Sequence, residues 1–255
     1  MTNSECLLIL LYICLSFVSC NFSNNKETNN TLIISDEIFD TVIKPESVTK
    51  INLVEKKLQD MGLINIQDSI SEILVDLRYA GTDNFLGINF YGELNNAFMQ
   101  RACYYKLKSA YEILQNNKPG YTFLIYDAVR SIQAQQLMWD SLKVPANKKF
   151  WYVADPAKGS IHNYGMAVDL TLVDDNGLIL DMGTEFDYFG ELAFPNKTEY
   201  FYKTGELNEE QYLNRNLLIN IMEKAGFTVS KTEWWHYNAT SLQNAKEKYT
   251  IFDLD

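Results

Sequence analysis

The most constraining feature of this chain is the stretch from Gly165 to Val173, largely apolar with a carboxylate, Asp169, in its middle. Gly165 lets the backbone leave a loop and enter this run as a strand. Alternation puts Val168, Leu170 and Leu172 on one face and Ala167, Asp169 and Thr171 on the other. The hydrophobic set is expected to face the core. Asp169 points the other way, from the middle of an otherwise apolar strand. An unpaired buried carboxylate is costly, so it needs a partner. A metal ion is the simplest one.

Histidine narrows the choice of further ligands, because the 255-residue chain has only two. The first lies in Ser160-Ile-His162-Asn-Tyr-Gly165-Met-Ala-Val-Asp169, close to the carboxylate, and the second in Glu233-Trp-Trp-His236. Two nitrogens and one carboxylate oxygen make a three-ligand zinc site with a fourth position open to water. Glu233 is placed to accept a proton when that water attacks a carbonyl. In a regular strand, residues three apart face opposite ways, about 10 Å apart. The chain at 233–236 must therefore bend or be helical for both groups to serve one site. Trp234, Trp235 and Tyr237 either pack to fix that bend or are plain core aromatics. Taken alone, each histidine reads as a satisfied structural residue before a ligand; the pair, in a chain with no other histidine, is the stronger signal. Spacing leaves open whether the two strings meet.

Composition excludes several functions. The net charge of −11 and pI near 4.7, without a basic cluster, argue against nucleic acid or anionic lipid as a partner. No apolar run reaches the roughly 18 residues of a membrane span. Leu7 to Val18 is a short apolar stretch ending in Ser19-Cys20. It reads as an export signal over residues 1–20, and Cys20 stands where a bacterial lipoprotein signal carries its lipidated cysteine. A plain secretory signal is the alternative. Residues 21–49 begin Asn-rich and polar and read as a tether between a lipid anchor and a folded domain. The protein is then expected in the cell envelope, touching membrane only through that anchor. Cleavage before Cys20 removes Cys6 and Cys14, so Cys103 has no disulfide partner and reads as a core residue rather than a reactive thiol.

Residues 50–255 show no repeat or second linker and are expected to form one domain. Spacing predicts helices over 52–61, 94–116, 131–142 and 209–225. The inward sets are Phe98, Ala102, Tyr105, Ala110 and Ile113 in the second, Ala134, Leu137 and Met138 in the third, and Leu213, Leu217, Ile221 and Ala225 in the fourth. Strands are expected over 73–78, 122–126, 165–173 and 227–230, with an aromatic-anchored loop at 84–92. Mixed elements without strict βαβ alternation favour an α+β fold.

The two histidine strings are similar to those of the LAS metallopeptidases, which include D-alanyl-D-alanine peptidases, lysostaphin-type enzymes and the zinc domain of hedgehog. The resemblance is closest to VanX-type D-alanyl-D-alanine dipeptidases, whose pattern S-x-H-x-x-G-x-A-x-D followed by E-x-W-H is complete here. Asp76-Leu-Arg-Tyr-Ala80, Thr82-Asp-Asn-Phe85, Tyr126-Asp-Ala-Val-Arg130 and Met182-Gly-Thr-Glu-Phe-Asp187 extend it. The resemblance implies an α+β domain whose central antiparallel sheet carries one Zn2+ on His162, Asp169 and His236, with flanking helices. It also implies Glu233 as general base and proton donor to the leaving amine, and Arg130 as the cation that steadies the oxyanion. Ser160 and Asp187 would hold the substrate ammonium. Without the resemblance, Arg130 reads as a surface salt bridge and Asp187 as a loop cap. Ser131 stands where the family usually has Pro. The expected substrate is D-Ala-D-Ala or a related small dipeptide from wall turnover. The alternatives are a D,D- or L,D-carboxypeptidase acting on wall stem peptides and a non-catalytic zinc-stabilised binding module.

Overall fold

The structure is a computed structural model that describes residues 52–254. The expected signal, Cys20 and the tether lie outside the described residues. In chain order the elements are α1 (Leu53–Asp60), β1 (Ile64–Asn65), α2 (Ile66–Ser69), β2 (Leu74–Val75), β3 (Phe98–Met99), α3 (Arg101–Asn117) and β4 (Thr122–Asp127). They continue with α4 (Ile132–Ser141), β5 (Ala167–Val173), α5 (Thr198–Thr204), α6 (Glu209–Lys224), β6 (Thr228–Val229), β7 (His236–Asn238) and α7 (Leu242–Lys248).

Five strands form the main sheet in the order β2-β4-β5-β7-β6, and β1 pairs with β3 in a separate ribbon. Only the β2–β4 pair at one edge is parallel; the rest of the sheet is antiparallel. The fold is therefore α+β, with β5 at its centre. All seven residues of β5 are buried, so both faces of the sheet are covered. One face contributes Val168, Leu170 and Leu172 to the main core. A smaller cluster of Leu124, Tyr126 and Val173 packs under Phe186. That second cover removes from water the strand face expected to carry Asp169.

Where the 3.6-residue period held, the elements lie close to expectation: α1, α4 and α6 match within two residues, as do β4 and β5. The helix expected from residue 94 starts instead at Arg101. Phe98 and Met99 are strand residues paired with β1, and Gln100 has extended backbone. An apolar strand running directly into a helix looks like one long helix to a periodicity count. The inward face shifts accordingly, to Cys103, Tyr104, Leu107, Ala110 and Leu114, while Tyr105 is exposed. Leu137 on α4 and Leu213 on α6 are also exposed, against expectation. On α6 the buried positions are Arg215, Leu218, Ile221 and Met222. The strand expected over 73–78 shrinks to Leu74–Val75 and gives way to a 3-10 turn at Arg78–Ala80. Cys103 is a buried free thiol, and burial pushes it up to about 12, as suits a core residue.

Candidate metal centre

Strand register assembles the centre of the site. Asp169 on β5 lies opposite His236 on β7 and opposite Asp127 on β4. The Asp127 pairing depends on a β-bulge between Ile125 and Asp127, which carries Tyr126 past Asp169 and aligns the second carboxylate instead. Two acids and an imidazole thus share one row across three strands.

His162 enters from the 3-10 turn Ile161–Tyr164. A capping box holds that turn: Ser160 Oγ accepts from His162 N at 3.3 Å, and Asn163 Oδ1 accepts from Ser160 N at 2.7 Å. Gly165 ends it at φ +64°, where a Cβ would press on Gln100 N at 3.2 Å and on Leu63 Cδ2 at 3.3 Å. The turn is also stitched to the Arg130 segment. Arg130 N donates to His162 O at 3.1 Å, and Asn163 Nδ2 donates to Arg130 O at 3.0 Å.

Three ligand atoms converge here. His162 Nε2 lies 3.0 Å from His236 Nδ1, His236 Nδ1 2.9 Å from Asp169 Oδ1, and His162 Nε2 3.3 Å from Asp169 Oδ1. Ligands about 2.0–2.1 Å from a tetrahedral zinc stand about 3.3 Å apart, so the triangle has the size such an ion requires. The other ring nitrogens are also committed. His162 Nδ1 faces Ala128 O at 2.7 Å, and His236 Nε2 faces Asn238 Oδ1 at 2.9 Å. A proton on each of those nitrogens leaves the converging ones free to ligate. These three residues are the His/Cys/Asp/Glu group with metal-ligand geometry among the described residues.

The electrostatics favour a cation. Burial alone would raise Asp169, but the charges of both histidines hold its carboxyl well below the usual range. Burial alone would lower His236, but Asp169 outweighs it and brings His236 to about 9. A divalent ion would replace that shared proton with two positive charges.

Glu233 reaches the site through a turn. Its carbonyl accepts from His236 N at 3.4 Å, closing the bend that residues 233–236 needed. Trp234 and Trp235 are both buried and fix this bend: Trp234 Nε1 donates to Thr184 Oγ1 at 2.7 Å, and Trp235 packs on Phe186 at 5.4 Å. Burial raises the Glu233 carboxyl above its ordinary range, and the neighbouring Asp169 adds to this against the pull of His236.

Arg130 is buried, not a surface residue. Its Nε donates to Asp127 Oδ2 at 3.0 Å, its Nη2 reaches the same oxygen, and Nη1 donates to Gln135 Oε1 at 3.0 Å. Those bonds use three of its five N–H groups. Asp187 accepts from Tyr79 OH at 2.9 and 3.0 Å and is the one non-glycine residue of positive φ among the described residues, at +60°. Burial pushes its carboxyl well above the usual range. Backbone strain of this kind concentrates where a side chain must be aimed. Ser160 lines the cleft, but its Oγ also caps the His162 turn.

Arg130, Ser160, His162, Asp169, Asp187, Glu233 and His236 all border one cleft of about 510 Å³. Sequence reasoning missed four supporting groups: Asp127, Tyr79, Asn238 and the Ala128 carbonyl. Asp127 carried a readable signal, a carboxylate ending the apolar strand Phe123-Leu-Ile-Tyr-Asp127, as Asp169 interrupts its own. Nothing local marks Asn238 or a backbone carbonyl.

Comparison with known proteins agrees on one family. The D-ala-D-ala dipeptidase family matches residues 59–254. A D-alanyl-D-alanine dipeptidase of Escherichia coli (strain K12) is 33% identical over 175 residues, which is 69% of this chain and 83% of that protein. One from Enterococcus faecium is 29% identical over 193 residues, 70% of this chain and 91% of that protein. A solved LD-carboxypeptidase that recognises peptidoglycan superimposes with a TM-score of only 0.36 at 20% identity, covering 59% of this chain and 63% of its own.

Proposed function

The chain belongs to the D-Ala-D-Ala dipeptidase family of peptidases, and from that premise we propose that it hydrolyses D-alanyl-D-alanine with one Zn2+ held by His162, Asp169 and His236. The observation that carries this reading is the 2.9–3.3 Å triangle of ligand atoms set in the same cleft as Glu233, Arg130 and Asp187. Two imidazoles and a carboxylate are a donor set that suits catalytic zinc. Bound there, zinc supplies Lewis-acid charge and a lowered water pKa.

The chain's own groups supply the rest. Glu233 takes the proton of the attacking water on a carboxylate oxygen and returns it to the nitrogen of the leaving amine. Its raised pKa brings it nearer to neutral pH, as proton shuttling favours. Arg130, pinned by Asp127 and Gln135, offers a fixed cation to the oxygen that gains charge. Asp187 takes the substrate ammonium, and the arriving positive charge offsets the burial that disfavours its ionised form. Ser160 stands beside this end of the cleft as a secondary contact. A longer peptide has no ammonium at that position and would leave Asp187 unpaired, which disfavours it. An export signal ending at Cys20 would put this reaction in the cell envelope, where wall turnover releases such dipeptides.

The metal assignment has a direct test. The purified chain is expected to retain one zinc after dialysis, and Asp169→Ala and His236→Ala to retain none. Zinc kept by either variant would remove that residue from the ligand set. Function is tested by release of D-alanine from D-Ala-D-Ala, with zinc, with a chelator, and beside a stem peptide ending in D-Ala-D-Ala. Zinc-dependent cleavage of the dipeptide alone is the expected result. Cleavage of the stem peptide would move the chain to the carboxypeptidases.

A further inference from the structure

Arg215 on α6 is fully buried, yet no step of the reaction uses it. A buried guanidinium is costly unless its N–H groups are bonded. Both of its bonds go to backbone: Nε donates to Met182 O, and Nη1 donates to Leu192 O at 2.7 Å. Burial lowers the guanidinium to about 10, and the charge of Asp181 opposes that shift. The two carbonyls bracket residues 183–191, so one planar fork joins the two ends of that segment. Two neighbours on α6 hold the same flank. Gln211 Nε2 donates to Asp181 Oδ2 at 2.8 Å, and Asn214 Nδ2 donates to Asp181 O at 2.9 Å. Residues 211, 214 and 215 are spaced three and four apart, so they share one helix face. Between the bracketed ends lies Asp187, with its backbone at φ +60°. Strained backbone of this kind persists only where the surroundings over-determine it. Thr184, Phe186 and Tyr79 fix the middle of the segment through Trp234, Trp235 and the Asp187 carboxylate itself, while α6 fixes its ends.

We propose that Arg215 is a positioning residue: by clamping Met182 and Leu192 together it holds the Asp187 carboxylate where the substrate ammonium arrives. The inference rests on the dipeptidase reading, which gives Asp187 that task. Packing alone does not call for a guanidinium here, because an apolar side chain of similar volume fills a core without the desolvation cost. The guanidinium adds two donors at a fixed spacing in one plane, which is what joining two carbonyls requires.

The test is a double-mutant cycle on the zinc-loaded full chain, with Arg215→Lys, Asp187→Asn and the pair acting on D-Ala-D-Ala. Lysine keeps the charge and the stem but loses the fork. Arg215→Lys is expected to raise KM about tenfold with kcat within about twofold, the pattern of lost ground-state binding. Beside Asp187→Asn the same substitution should leave KM unchanged, because the group it positions is already disabled. An equal rise in both backgrounds, or a rise in neither, overturns the inference alone. Amide hydrogen exchange gives a readout that needs no turnover. Exchange over 183–191 should speed up by about tenfold in Arg215→Lys while β4 and β5 keep wild-type protection. Unchanged exchange there, or faster exchange throughout the domain, overturns the clamp. Should Arg215→Lys fail to fold, Asn214→Ala takes its place in the cycle, since it removes a bond to the same flank from a half-buried position. A smaller rise in KM, again absent beside Asp187→Asn, is then expected, and an equal rise in both backgrounds overturns the inference. A wild-type chain that leaves D-Ala-D-Ala uncleaved overturns the dipeptidase reading together with it.

Discussion

Glu233→Gln is expected to keep its zinc and lose turnover by about 10²–10⁴-fold, the range for removing a positioned general base. Glutamine matches glutamate in shape but cannot accept a proton. Glu233 is also separate from the three-residue ligand group, so its amide should leave metal content unchanged. The pH profile carries the same signature. Burial raises the Glu233 carboxyl, so protonation blocks it as pH falls through a value above the ordinary glutamate pKa of about 4.3. The acid limb of wild-type kcat should lie there. Zinc content and D-alanine release measured on one preparation decide the matter. Full turnover in Glu233→Gln would remove the base, while zinc binding without turnover in the wild type would favour a binding module.

Asp127→Ala should produce the largest loss of stability. Asp127 is fully buried and accepts from Tyr91 OH, from Ala128 N at 2.8 Å and from the Arg130 guanidinium, with His162 Nδ1 3.6 Å away. Alanine removes all of these acceptors and leaves the buried Arg130 cation with only Asp169 Oδ2, 4.0 Å from its Nη2, as counter-charge. Breaking a buried pair from one side costs about 3–5 kcal/mol. For a domain of this size that lowers Tm on the order of 10 °C. Asp127→Asn separates charge from shape: it can still accept from Tyr91 and Ala128, so it should lose less stability. It frees Arg130 from its anchor, however, and kcat should fall while zinc stays bound. Thermal unfolding of both variants is the measurement, and a Tm of Asp127→Ala near that of the wild type would show that Arg130 finds another counter-charge.

Local pattern reached the fold unevenly. β4, β5, α1, α4 and α6 were legible because each keeps one period between clear stops. β7 was not, since His236–Asn238 is three residues long and its pairing partner β5 ends 63 positions earlier in the chain. The α3 boundary failed because Phe98–Met99 runs directly into the helix, and a hydrophobic count cannot tell a buried strand from a buried turn of helix. Inward faces were misjudged at Tyr105, Leu137 and Leu213, where the partner elements rather than the helix itself decide which side is covered.

By itself, the sequence determined which atoms are available. With two histidines in the chain and Asp169 set in an apolar strand, the donor set and the candidate base were readable from short strings, because covalent neighbours set residue type and local dihedrals. Tertiary structure alone decided that these atoms meet. Register across β4, β5 and β7, the bulge at Tyr126 and the turn at Trp234–Trp235 bring Asp169, His236 and Glu233 to one cleft and set Asp127 buried behind it against Arg130. Phe186 packs over Leu124, Tyr126 and Val173 on the second face of β5, and every residue of that strand, Asp169 included, is buried. These are cooperative, long-range choices, set by which whole strand pairing buries the most apolar surface with every backbone group bonded, and no short window of sequence carries that comparison.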